Sequence, residues 1–168
     1  PIISENEEIK YVIYCRKSTD ESSNKQVASI TRQIQECLRF AEREGLEIAS
    51  KPKDFSAFES DKDLFKEDQS KDKSDAKLYQ ETRHLYIVKE QNSAKTPFKR
   101  KKWKKITKLI QDGKIRGILS YSPDRQARNM VEGGQIIDFV DQEILNLKYA
   151  NFHFEPNASG KMMLGIWA

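Results

Sequence analysis

Several features that are common in other protein classes are scarce or missing in this chain of 168 residues, and each absence excludes something. No apolar stretch is much longer than one strand, which excludes a membrane span and a signal-peptide core. The two cysteines, Cys15 and Cys37, lie in apolar patterns without CxxC or Cys/His spacing, which argues against a disulfide scaffold and a zinc site. Neither GxGxxG nor GxxxxGK occurs, so a nicotinamide or P-loop enzyme would lack its phosphate-binding loop. These absences predict a soluble, cytosolic protein with both cysteines in its core.

Acidic residues are missing from one stretch, residues 95–108, KTPFKRKKWKKITK, which holds eight lysines and arginines. The formal net charge of the whole chain is +4, so the remainder sums to minus four, that is, 22 basic against 26 acidic residues. A local positive patch on an otherwise acidic surface suits a polyanion, because each neutralised phosphate releases condensed counterions. A solvated helix face explains a lysine run equally well. The candidate polyanion contacts in this tract include Lys99, Lys101, Lys102 and Lys104.

Strand and helix patterns alternate along the chain. Residues 9–16, IKYVIYCR, are apolar on both faces, which is typical of a central strand covered on both sides. Further strands are predicted at 84–90, 115–121 and 147–154, and helices at 29–45, around Trp103, Ile106 and Ile110 up to 112–113, and at 130–145. The alternation predicts a single α/β domain over residues 1–168, with three α/β/α layers, a largely parallel sheet and helices on both faces.

Two parts of the chain depart from this pattern. Residues from about 49 to 83 hold eight basic and nine acidic residues and few aliphatic ones, which predicts a charged surface insertion. The chain begins with Pro1 rather than methionine and stops within GKMMLGIWA. These ends predict a fragment of a longer protein.

Polar and charged side chains follow two of the predicted strands. Arg16 and Ser18 end the first strand, and DRQAR after the third places Asp124, Arg125 and Arg128 in the next loop and helix start. In such sheets, reactive groups gather at the carboxyl ends of the strands. Alone, RxS or DRxxR is more often a surface or capping feature. Together they predict phosphoryl transfer, because guanidinium groups stabilise a phosphoryl transition state around a serine nucleophile.

In this order, the runs YCRKSTDE, SITRQIQECLRFAEREG, SPDRQARN and GKMMLGI resemble the catalytic domain of the serine recombinases. This is the resolvase and invertase group, and the likeness is greatest to its transposon-type and large members. The resemblance places the family's motif residues at Tyr14, Arg16, Ser18, Gln33, Asp124, Arg125 and Arg128. It also places a further family arginine at Arg100, with Lys99 or Lys101 as alternatives in so basic a tract.

The resemblance implies cutting and rejoining of DNA without a metal or nucleotide cofactor. Ser18 would attack a phosphodiester to give a 5′-phosphoserine link and a free 3′ hydroxyl, and religation after strand exchange would reverse the step. Arg16, Arg125 and Arg128 would hold the phosphate. Asp124 would orient an arginine, and Gln33 would position active-site groups.

The resemblance also implies partners and a location. The partner would be double-stranded DNA, bound by a homodimer at each site and by a tetramer at synapsis in the full-length protein. We expect the fragment, without its DNA-binding region, to be a monomer or a weak dimer. The location would be a bacterial-type cytoplasm, at the nucleoid, with no membrane partner.

Two other functions stay open. The first is a catalytically silent recombinase-like module that binds DNA or a partner, and the second is an unrelated serine phosphohydrolase. Ser18 and the three arginines argue against the first, and the matching helix and GKMML segments argue against the second.

Overall fold

The computed structural model describes residues 2–18, 29–51, 73–92, 101–122 and 130–152. Within these ranges the strands form one five-stranded sheet in which all strand pairs are parallel. The elements, in chain order, are β1 Lys10–Ser18, α1 Ile30–Glu44, β2 Glu47–Ile48, α2 Lys73–Thr82, β3 Ile87–Asn92, α3 Lys101–Gln111, β4 Gly117–Ser120, α4 Met130–Asp141 and β5 Asn146–Tyr149. The predicted α/β fold with a parallel sheet is confirmed.

The core lies on both faces of the sheet, as a three-layer fold requires. On one face, side chains of α1 pack against β1 and β4 in what we call the α1-side core: Tyr11, Ile13, Cys15, Ile34, Cys37, Ala41, Ile87 and Leu119. On the other face, α3 and α4 pack against alternate residues of the same strands, with Val12, Tyr14, Val88, Trp103, Ile110 and Ile136 among the buried side chains. Both cysteines and Trp103 are buried, as the sequence predicted.

The helix predicted at 29–45 is confirmed together with its end signals. Ser29 is the N-cap, and its hydroxyl accepts a hydrogen bond from the Arg32 N–H at 3.1 Å. Gly45 closes the helix in the left-handed conformation, with φ of 68°. Other boundaries differ from prediction. For example, β1 continues to Ser18, because β3 pairs with it up to that residue. The local sequence of β1 does not encode the pairing with β3.

β2 and β3 lie one after the other along the same edge of β1. β2 pairs with β1 at Lys10 and Tyr11, and β3 pairs with it from Ile13 to Ser18. Both lie opposite β4, because Tyr11 and Ile13 also pair with β4 on the other side. Together, β2 and β3 form one edge strand that is interrupted.

Backbone hydrogen bonds close the base of this interruption. Tyr86 N–H donates to the Ala49 carbonyl at 2.7 Å, Lys51 N–H donates to the His84 carbonyl at 2.9 Å, and Ser50 and Leu85 form an antiparallel bridge. The chain thus leaves the sheet after residue 51 and returns at residue 84, whereas the sequence predicts an insertion at about 49–83. We call the segment 52–83 the excursion. Its described part contains the helix α2, which the mixed charge of the segment did not predict, and Leu78 of α2 packs against the α1-side core.

Candidate active site

The carboxyl end of β1 extends beyond its neighbour β4. The last pair between the two strands is Ile13 with Leu119, yet β1 continues to Ser18, which pairs with Asn92 of β3. Ser18 therefore lies at the end of a strand segment that, among the described residues, has a neighbouring strand on the β3 side only. In a parallel sheet this is the edge at which loops to the helices open and ligands bind.

Arg16 lies on this extended segment and is held there by its backbone. Gln33 of α1 is fully buried; its Nε2 donates to the Arg16 carbonyl at 3.1 Å, and its Oε1 accepts from the Arg16 N–H at 3.3 Å. A single amide thus satisfies both backbone polar groups of one residue, as an adjacent strand would. The Arg16 residue itself is 7% exposed, so its orientation is set by surrounding protein. The sequence-predicted pair Arg16 and Gln33 is therefore in direct contact.

Tyr14, two residues earlier, is fully buried and contacts three other elements. Its hydroxyl donates a hydrogen bond to the Glu90 carboxylate of β3, and its ring lies 5.0 Å from the Trp103 ring of α3, centroid to centroid. The Ser120 hydroxyl, at the end of β4, donates to the Tyr14 carbonyl at 2.9 Å. Tyr14 thereby joins β1 to β3, β4 and α3 just before the Arg16 position.

Glu90 also holds the start of α3. The second oxygen of its carboxylate accepts from the backbone N–H of Lys102 at 3.0 Å, and the Lys102 ammonium donates to the Lys89 carbonyl at 2.6 Å. Lys102 is the second residue of α3, so its N–H is one of those that a helix leaves without an internal partner. The first turn of the basic helix is thus bonded to β3 by both backbone and side chain.

Sequence reasoning did not select Glu90 or Ser120. A signal existed in each case, because Glu90 is the last residue of the strand predicted at 84–90 and Ser120 is the last residue but one of the strand predicted at 115–121. Tyr86 just before β3 and Val88 within it are buried on the α3 side, so period-two spacing puts Glu90 on the same face. The same argument that selected Arg16 would have selected Glu90.

The structure describes some of the remaining predicted site residues fully, some only by their backbone, and others not at all. Ser18 is described by its backbone position in β1, and Lys101 by its position at the start of α3. Lys104 is exposed on α3, and Lys102 is half-buried. Five predicted residues lie outside the described ranges: Lys99, Arg100, Asp124, Arg125 and Arg128. The last three lie between β4 and α4 in the order of the chain.

Neither a membrane-spanning helix nor a cluster of metal-ligating side chains occurs in the described residues. No helix in those ranges is long and apolar enough to cross a membrane. No group of three or more histidine, cysteine, aspartate or glutamate side chains within the same ranges could hold a metal ion.

Comparisons with known proteins agree with the fold. A family model described as "Resolvase, N terminal domain" matches residues 66–168, a span that begins after Ser18 and includes Glu90, α3 and the DRQAR segment. The crystal structure of the N-terminal catalytic domain of TP901-1 integrase matches with a TM-score of 0.54 at 16% sequence identity, and covers 94% of this chain and 90% of that one. No curated protein matches the sequence.

Proposed function

Because this chain belongs to the resolvase family, we propose that it is the catalytic domain of a site-specific DNA recombinase whose nucleophile is Ser18. The observation that carries the proposal is the extended end of β1, where Ser18 follows Arg16 by two residues. The adjacent strand β4 leads into the segment that holds Asp124, Arg125 and Arg128. Since adjacent parallel strands end at the same edge of a sheet, this topology supports a shared edge for the two motifs.

The proposed reaction is a transesterification. The Ser18 hydroxyl attacks a DNA phosphorus and loses its proton. Its oxygen becomes bonded to the phosphate that remains on the 5′ end at the break. The P–O3′ bond breaks, and the leaving oxygen takes up a proton to become a 3′ hydroxyl. In the reverse step, a 3′ hydroxyl from another DNA end attacks the phosphoserine and releases Ser18. One phosphoester bond forms for each that breaks, so rejoining needs no external source of bond energy.

The arginines supply positive charge to the phosphate oxygens in the transition state. Arg16, Arg125 and Arg128 are assigned this role because guanidinium stays charged at any physiological pH and binds phosphate through two donors. Gln33 holds the Arg16 backbone, which supports its assignment as the residue that positions the first arginine. Asp124 orients an arginine of the DRQAR segment.

The basic start of α3 supplies the DNA contact outside the scissile phosphate. Lys99, Arg100, Lys101, Lys102 and Lys104 form a cationic tract at or next to the start of this helix, and Lys104 is exposed. Such contacts bind DNA without reading its sequence. The assembly proposed is a homodimer on each DNA site and a tetramer at synapsis, acting at the nucleoid of a bacterial-type cytoplasm.

Covalent trapping tests the proposal. The protein is mixed with end-labelled fragments of the DNA that flanks its own gene, the reaction is quenched in detergent, and protein–DNA adducts are separated on a denaturing gel. We expect an adduct with wild type and with the control Ser4→Ala, which changes an exposed serine, and none with Ser18→Ala. Mass spectrometry of the adduct should place a 5′-linked nucleotide on the peptide that contains Ser18.

Two other outcomes would each support a different function. Salt-sensitive DNA binding without an adduct in wild type would favour the silent module. Turnover of a small phosphomonoester such as p-nitrophenyl phosphate, abolished by Ser18→Ala, would favour a phosphohydrolase.

A further inference from the structure

The outer side of α3 carries lysines beyond those at the start of the helix. Lys104 and Lys108 are exposed and Lys105 is half-buried, whereas Trp103 and Ile106 are buried in the core. These buried side chains fix the rotation of α3 about its axis, so the three lysines share the side of the helix that points away from the sheet. We call Lys104, Lys105 and Lys108 the lysine face.

The lysine face leads away from the candidate active site along the outside of the domain. β3 and β1 end at the same edge of the sheet, since Asn92 pairs with Ser18. The start of α3 lies beside that edge, because the Lys102 ammonium donates to the Lys89 carbonyl at 2.6 Å. Lys108 is seven residues beyond the start of α3, about 10 Å farther along the helix axis. The face thus extends the basic tract away from the edge that holds Ser18.

The lysine face is unfavourable for the helix that carries it. Lys104 and Lys108 are four residues apart and Lys105 and Lys108 are three apart, so their like charges repel each other on one side of the helix. α3 contains five lysines and no acidic residue to offset this repulsion within the helix. A glutamate at one of these positions would stabilise α3 better. An anionic ligand would relieve the repulsion and accounts for the pattern.

The other helix on the same face of the sheet has the opposite charge. α4 contains three acidic residues and no basic one, and its Asp138 and Asp141 are exposed. α3 and α4 both pack against the core of this face. A polyanion is attracted by α3 and repelled by α4, so the two helices together orient it.

We propose that the lysine face binds the phosphate backbone of double-stranded DNA that continues from the scissile site along the outside of α3. This inference rests on the function proposed above and deepens it, because it adds Lys105 and Lys108 as contacts and gives the flanking DNA a path. Each ammonium neutralises a phosphate and releases condensed counterions. Phosphate contacts carry no sequence information, so the surface binds every duplex alike.

The salt dependence of DNA binding tests the lysine face. Lys105→Gln and Lys108→Gln keep most of the side-chain stem and remove the charge. They are made in Ser18→Ala protein, so that binding stays non-covalent, and they are titrated with a long duplex of random sequence by fluorescence anisotropy. We expect each change to reduce the slope of log K against log salt by about 0.9, and the double change to reduce it by about twice as much.

Two further variants separate local contact from net charge. Lys77→Gln removes the same charge from an exposed position on α2, which packs on the opposite face of the sheet through Leu78. It should leave the slope unchanged. Asp138→Asn removes an exposed negative charge from α4, so it should tighten binding at low salt without changing the slope.

A chemical probe locates the DNA directly. Cys15 and Cys37 are buried, so a thiol-reactive iron chelate attaches to folded Lys108→Cys or Lys77→Cys protein at the introduced position. We expect the chelate at position 108 to cut bound DNA and the chelate at position 77 to leave it intact. Absence of cutting from position 108 would overturn the proposed path.

The outcomes separate this inference from the function on which it rests. If wild type forms the covalent adduct but Lys105→Gln and Lys108→Gln have the slope of Lys77→Gln, the lysine face is overturned and the recombinase function stands. If the slopes change as expected and wild type forms no adduct, the DNA surface stands and the recombinase function is overturned. Association of DNA-free protein that Lys108→Gln and Asp138→Asn both abolish, with unchanged DNA slopes, would assign the face to a second copy of this chain.

Discussion

The side-chain amide of Gln33 takes the place of a missing strand beside Arg16. Backbone groups of successive residues in β1 face opposite edges, and those of Tyr14 face β4, whose last residue, Ser120, bonds the Tyr14 carbonyl. The groups of Arg16 face the same edge, beyond the end of β4. Gln33 from α1 fills that position with one donor and one acceptor. Both backbone polar groups of Arg16 are therefore bonded, although they point away from the flanking strand β3 and lie beyond the end of β4.

Replacing Gln33 tests how much this arrangement contributes to stability. Gln33→Leu has a similar volume but leaves the Arg16 N–H and carbonyl without the amide, so we expect the free energy of unfolding to fall by about 2–4 kcal/mol. Gln33→Glu keeps an acceptor for the N–H, but an ionised carboxylate cannot donate to the carbonyl. Because burial raises the pKa of a carboxyl at this site, Gln33→Glu should lose stability relative to wild type as the pH rises. Urea unfolding at several pH values measures this, and a pH-independent difference would contradict it.

Lys104 offers a test of the predicted DNA contact. Its side chain is exposed on α3, so Lys104→Ala should leave stability unchanged, weaken DNA binding for all sequences alike, and reduce the slope of log K against log salt by about one. Lys10→Ala, at the opposite end of β1 in an exposed pair with Glu47, is the matched control. Fluorescence anisotropy titrations over a series of salt concentrations give the slope for each variant. Equal slopes for Lys104→Ala and Lys10→Ala would show that Lys104 does not contact DNA.

Two glycines should respond in opposite ways to alanine. Gly134 lies inside α4, and a Cβ there would meet nothing within 4 Å, so Gly134→Ala should stabilise the fold by about 0.5–1 kcal/mol. A Cβ at Gly117 in β4 would lie 2.7 Å from Ile9 Cγ2 and 2.8 Å from Tyr11 Cδ1, so Gly117→Ala should destabilise it by about 1–3 kcal/mol. Denaturant midpoints at unchanged m-value measure both changes. A stabilised Gly117→Ala would show that Ile9 and Tyr11 move aside freely.

The buried cysteines should be unreactive in the folded protein. Burial raises the pKa of the Cys37 thiol well above its ordinary value, and Cys15 and Glu36 add to the rise. The fold therefore favours the neutral Cys37 thiol, and this preference stabilises the folded protein. The stabilisation is fully present below the pKa of 9.0 that the thiol has in the unfolded chain, and it is lost as the pH rises through the higher pKa of the folded protein. A thiol reagent at neutral pH should label neither Cys15 nor Cys37 until the protein unfolds. Labelling of either thiol in native protein would contradict their burial.

The excursion between β2 and β3 should be removable. The Lys51 N–H bonds the His84 carbonyl next to the Ser50–Leu85 bridge, so a two-residue Asn-Gly turn in place of residues 52–83 suits the hairpin geometry. We expect the shortened chain to fold, at a cost of about 1–2 kcal/mol because Leu78 no longer packs against the α1-side core. Leu78→Ala in the whole chain is the control and should give much of that loss. An unfolded shortened chain would show that the excursion is an integral part of the domain.

Much of the fold follows from local patterns. The double-sided apolar run of β1, the capped helix from Ser29 to Gly45, and the Trp103, Ile106 and Ile110 spacing of α3 each predicted an element that the structure contains. The short β2 and the helix α2 were not predicted, because a two-residue strand is too short for periodicity. Most residues of α2 are polar or charged, and the helix packs on the core through Leu78.

The sequence by itself determined the chemistry available to this protein: an arginine and a serine at the end of a central strand, and a basic tract at the start of a helix. Strand and helix periodicity and the α/β order are local properties of side-chain pattern, so they can be read along the chain. Only the tertiary structure decided which groups hold that strand end. Gln33, Ser120 and Glu90 act through hydrogen bonds to residues 17, 106 and 76 positions away in the chain. Such bonds depend on how the elements pack together, and no local pattern specifies that packing.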